Sequence, residues 1–149
     1  MRTAILAILA LPLLAGTPPK RVRPEPGQVS RIENKSSAAW QLGMGQRVAG
    51  EIQVRPAGSH DAPASLQKEG DTFTLVPGQA FDMKVLPTKQ NLALQVTFST
   101  VGGSAGASIF ISQGNPGDPH TLNINESKAV HVDKARYGHN RAGAFVTID

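Results

Sequence analysis

Histidines and an aspartate in the last third of the chain supply the residue types needed for metal chemistry. His131 and Asp133 flank Val132, a spacing that puts an imidazole and a carboxylate on the same side of an extended strand, and His120 precedes them at a loop or strand start. With His139 they offer nitrogen and oxygen donors of the kind that bind zinc or copper, and a closed site needs three or four such groups. A metal-dependent enzyme using His120, His131 and Asp133 is therefore one expectation. Against it, His131 has the parity opposite Val130 and Val132, which makes it a solvent-facing histidine on the outer side of its strand.

Other chemistries lack their constellations. A serine hydrolase of the G-x-S-x-G kind needs its nucleophile on a strand-to-helix turn. The nearest run, Gly103, Ser104, Ala105 and Gly106, has neither that spacing nor that setting. The same glycines are followed by no Lys with Ser or Thr and open no helix, so they cradle no phosphate. Asn115, Asp118 and Asp133 are oxygen donors for calcium, but no D-x-[DN]-x-[DN]-G loop is present, and turn duty accounts for Asn115 and Asp118. Glu69, Asp71 and Asp82 flank a strand pair where solvation explains them, and no catalytic carboxylate pair is assigned. With no cysteine, thiolate catalysis, disulfides and cysteine-based zinc sites are excluded. The expectation is a protein that is not an enzyme and carries no cofactor. Two triplets, Asn34-Lys35-Ser36 and Asn125-Glu126-Ser127, fit the N-glycosylation pattern.

The elements that would position these groups are strands. In the central stretch Asp71–Val85, Phe73 and Leu75 alternate with threonines, and Phe81, Met83 and Val85 alternate with Asp82 and Lys84. Val76, Pro77, Gly78 and Gln79 between them carry the signature of a type II turn, and the reading is a hairpin. Its Phe and Met face must lie on a second layer. Phe73 and Phe81 are expected in one core with Leu94, Val96 or Phe98. Further strand candidates are Val29–Asn34, Ala38–Leu42, a run through Val48, Gly50, Ile52 and Val54, Asn91–Val101, Ala107–Ser112, Thr121–Asn125, Ala129–Val132 and Ala144–Ile148. Residues 56–70 read as a loop with one helical turn at Ala64–Lys68, and Lys134–Ala142 as a polar connection. About nine short strands with frequent turn signals make an antiparallel β-sandwich, immunoglobulin-like or jelly-roll in style.

Composition agrees. Of the 149 residues 40% are apolar and 17% charged, with 15 glycines and 11 prolines, a profile suited to short strands and tight connections in a single domain. The net charge of +4 comes with no run of five like charges and no nucleic-acid-binding signature, so nucleic acid is not an expected partner. Residues 1–16 combine Arg2, the apolar run Ala4–Leu11 and a small-residue exit at Ala15 and Gly16, the pattern of a cleaved secretory signal peptide. Residues 17–28, with four prolines, Lys20, Arg21 and Arg23, read as an extended leader, leaving 29–149 as the domain. The expected location is periplasmic or extracellular. The expected function is that of an exported, non-catalytic β-sandwich binding a protein, glycan or cell-envelope surface through its loops. The alternative is a membrane-surface or pore-associated sandwich, drawing on the basic leader and the outward parity of Phe110.

Overall fold

The computed structural model describes residues 28–103, 105–118, 120–136 and 142–149. The signal-peptide segment, the leader up to residue 27, Ser104 and His139 lie outside the described residues. The chain forms an all-β sandwich of eleven described strands: β1 Gln28–Asn34, β2 Trp40–Ala49, β3 Ile52–Pro56, β4 Ala64–Leu66, β5 Thr72–Leu75, β6 Ala80–Val85, β7 Leu92–Thr100, β8 Ala105–Gln113, β9 Thr121–Asn125, β10 Val130–Arg136 and β11 Ala142–Ile148. One sheet has the order β10-β11-β1-β6-β3-β4, and the other β5-β2-β7-β8-β9. All pairings are antiparallel except β1 with β11.

Period-two alternation builds the core. Leu92, Leu94, Val96 and Phe98 of β7 are buried, as are Phe81, Met83 and Val85 of β6 and Val130 and Val132 of β10. Each strand contributes alternate side chains to a single apolar layer between the sheets. Trp40 fits there because Gly106 lacks a side chain: a Cβ at that position would lie 2.7 Å from the indole ring.

The central stretch departs from the expected hairpin. β5 pairs with β2 in the five-stranded sheet, whereas β6 pairs with β1 and β3 in the six-stranded one, so Val76–Gln79 carries the chain from one sheet to the other. The local turn is the expected one, with Gly78 at φ +74°. The corner is held by Asn34, whose backbone N–H donates to Gln79 O (2.9 Å) and whose carbonyl accepts Gly78 N–H (2.7 Å). Its buried amide Nδ2 donates to Leu75 O and Ala38 O, each at 2.9 Å. Phe73 and Phe81 still meet, now across the two sheets, edge to face with ring centroids 5.6 Å apart. Phe81, Leu94, Val96 and Phe98 are fully buried and Phe73 is half-buried.

Four boundaries also differ. Residues 64–66 form strand β4 beside β3 and not a helical turn, because Ile52, Gln53 and Val54 offer a ladder to Leu66, Ser65 and Ala64. β2 runs through Gly43 and Gly45: Gly43 pairs with Thr97 of β7, and the register shifts between Met44 and Arg47, where Gly45 lies. The run Val48–Val54 is split at Gly50 (φ +123°), and Val48 is exposed where inward parity was expected. Finally, β10 and β11 extend into the expected polar connection, as far as Arg136 and from Ala142.

Candidate functional site

The histidine and carboxylate candidates are dispersed. His120 lies just before β9 of the five-stranded sheet and is buried, its Nδ1 without a hydrogen-bond partner among the described residues. His131 is exposed on β10 of the other sheet, 3.5 Å from Asp149 Oδ2, and Asp133 is exposed two residues on. Among the described residues no three His, Asp or Glu side chains converge in a metal-binding group.

The remaining carboxylates are committed to local structure. Asp118 Oδ2 accepts Asn115 N–H (3.0 Å) and its amide (3.1 Å), and Gln113 Nε2 donates to Asp118 O (2.7 Å), so Asn115 and Asp118 form the turn between β8 and β9. Asp71 Oδ2 accepts the N–H groups of Gln67 (2.8 Å) and Lys68 (3.1 Å), which hold its pKa below the ordinary aspartate value. Glu69 accepts Arg47 N–H, and Asp82 pairs with Arg31 at 3.2 Å. Of the two glycosylation triplets, Asn34 is buried with its amide fully engaged, while Asn125 is exposed.

The outer faces of the two sheets differ in charge. Across the six-stranded sheet, register aligns Asp133, Phe145, Arg31, Asp82 and Arg55 in one row. Beside it Gln53, Arg55, Pro63, Asp82, Met83 and Lys84 line an open depression of about 220 Å³. Small-molecule pockets span roughly 300 to 1,000 Å³, so this dent is too small and open to enclose a ligand. Charged side chains and the exposed Phe145 share this face.

The outer face of the five-stranded sheet carries no charged side chain at the outward positions of β5, β7, β8 and β9, nor at Gln41, Gly43 and Gly45 of β2. One row runs Thr72, Gly43, Thr97, Ser108, Asn125 across all five strands. The neighbouring row is Gln95, Phe110, Asn123, an aromatic ring on β8 between amides on β7 and β9. A third is Ala93, Ser112, Thr121. Phe110 is 37% exposed. β2 is bare beside these rows: a Cβ on Gly43 would lie 2.7 Å from Thr97 Oγ1 and one on Gly45 2.5 Å from Gln95 Oε1. The two glycines thus give room for Thr97 and Gln95 to lie against β2. The parity of Gln95, Thr97 and Phe110 is visible in sequence. Their alignment with Asn123 and Ser108 is not, since it depends on which strands are neighbours.

No protein-family model matches this chain, and no curated protein matches it.

Proposed function

We propose that this protein is an exported, non-catalytic β-sandwich that docks a partner from the cell envelope or its surroundings on the outer face of its five-stranded sheet. The observation that carries this reading is the segregation of charge: one sheet carries Arg31, Asp82, Arg55 and Lys84 on its outer face, while the other has no charged side chain at the outward positions of β5, β7, β8 and β9, with Arg47 at the irregular part of β2 beside it. A face that only needs to stay solvated is served by charged side chains, and depletion of charge marks the centres of recognition surfaces. Binding is thereby assigned to a sheet face in place of the loops. Export rests on the pattern of residues 1–16.

The test is co-sedimentation of the mature protein with a purified cell-envelope fraction. Retention of the parent, its loss in Ser108→Lys, and normal retention of Lys84→Ser on the opposite face are the expected results. A parent that stays in the supernatant, or a Ser108→Lys variant retained like the parent, overturns the reading.

A further inference from the structure

We infer that the ligand of this face is a neutral polysaccharide, laid across the row Gln95, Phe110, Asn123; the inference rests on the reading of the face as a docking surface. Sugar hydroxyls both donate and accept hydrogen bonds, and so do the groups of this face: the amide of Asn123, that of Gln95, whose Oε1 also accepts Gln46 N–H at 3.4 Å, and the hydroxyls of Thr97, Ser108 and Ser112. No cation stands at the outward positions to pair with the carboxylate or sulfate of an acidic polymer, and no anion to pair with a basic one. The composition also argues against a polypeptide partner. Protein interfaces favour several aromatic and aliphatic anchors and are depleted in serine and alanine, whereas this face has one aromatic ring amid Ser108, Ser112 and Ala93.

Geometry fits an extended chain. The row crosses β7, β8 and β9, a span of about 10 Å at the usual strand separation, and the half-exposed Phe110 ring stands at its centre. A pyranose presents an apolar C–H face, which an aromatic ring can cover, and a hydroxylated edge, which amides on either side can reach. Gly43 and Gly45 leave β2 low beside Thr97 and Gln95, so no side chain of these two positions walls off the row on that side. A surface without such a wall admits the interior of a polymer as readily as its end.

The probes are soluble neutral polysaccharides (a β-glucan, a xylan, a galactomannan) and one anionic polymer, alginate, cast into native gels for affinity electrophoresis. At least one neutral polymer retards the protein, and the retardation persists in salt of about 1 M, because no ion pair is screened. Phe110→Ala weakens the interaction at least about tenfold, and Gln95→Ala and Asn123→Ala weaken it less. Thermal unfolding by circular dichroism checks that each variant is folded, and Phe110, being on the outer face, is dispensable for the core. No retardation by any neutral polymer overturns the inference, as does a folded Phe110→Ala variant that binds like the parent. So does retardation by alginate alone that vanishes in salt. If the polymers fail while Ser108→Lys still abolishes envelope retention, the docking face stands and only the glycan falls. If sedimentation instead reveals a dimer that Phe110→Ala dissociates, the face joins two copies of this chain and the glycan is likewise discarded.

Discussion

Among the described histidines His60 and His131 are exposed and His120 alone is buried. Burial removes water from the imidazole and lowers its pKa from the ordinary 6.5, because desolvation disfavours the cation. The sign of the pH effect follows. With a folded-state pKa below the unfolded one, the unfolded chain takes up the proton first as pH falls, so His120 contributes stability above about pH 6.5 that is lost as pH drops through the depressed value. Replacing His120 with Leu removes this titration. Urea titrations at about pH 7.5 and about pH 5.5 are expected to show a larger loss of stability on acidification for the parent than for His120→Leu. Equal losses would mean that the imidazole is solvated in the folded chain. The same burial explains why His120 makes a poor partner for His131, whose exposed imidazole lies beside Asp149 on the other sheet.

At the scale of elements, the turn Val76–Gln79 shows how a correct local reading can lead to the wrong partner. Proline and glycine specify the backbone of the turn, and Gly78 has the positive φ that its position requires. They do not specify whether the following strand returns beside the previous one or crosses to another sheet. That choice is expressed in the ladders of β5 with β2 and of β6 with β1 and β3, and Asn34, far away in sequence, holds the corner by bonding Gly78, Gln79 and the carbonyl of Leu75. Asn34→Ala leaves the buried Leu75 carbonyl without its amide donor, while Ala38 O keeps Ser36 Oγ at 3.1 Å. At about 1 to 3 kcal/mol for a buried unsatisfied group, a loss of roughly 1 to 3 kcal/mol in urea-derived stability is expected. A loss below about 0.5 kcal/mol, the range of ordinary surface substitutions, would deny Asn34 this role. Strand existence and inward parity were thus legible for most of the core, since Leu92–Phe98 or Phe81–Val85 carry period two in their own residues. Sheet membership was not, because it depends on distant pairings such as these ladders. The proposed docking face is half legible for the same reason: the neutrality of Ala93, Gln95, Thr97 and Ser99 can be read along β7, but the row that Gln95 forms with Phe110 and Asn123 exists only once β7, β8 and β9 are adjacent. Gly43 and Gly45 lie beyond the expected strand Ala38–Leu42, yet β2 runs on through them and they form the low ground over which Thr97 and Gln95 lie.

The described residues form two sheets with unlike exteriors held by one apolar layer, without a disulfide and with the Asn34–Leu75 hydrogen bond across them. The chain crosses between sheets at the Val76–Gln79 corner, and there the edge-to-face pair of Phe73 from the five-stranded sheet and Phe81 from the six-stranded sheet joins the two directly. Phe81 is fully buried, so Phe81→Ala removes its transfer energy and leaves a cavity, a loss of roughly 3 to 5 kcal/mol. Against a total of about 5 to 15 kcal/mol for a domain of this kind, such a loss brings the protein close to unfolding. Phe73 is only half-buried, and Phe73→Ala is expected to cost less. If the rings act as a clamp between sheets, the double variant must lose less than the sum of the singles. The expected coupling is about 0.5 to 1.5 kcal/mol, the usual worth of an aromatic pair beyond its buried area. Urea denaturation of the parent, both single variants and the double variant closes the cycle, with measurements on the Phe81→Ala background made in a stabilising osmolyte if needed. Additivity within about 0.3 kcal/mol would reduce the pair to two independent core residues and leave the attachment of the sheets to the aliphatic layer and the Asn34–Leu75 hydrogen bond.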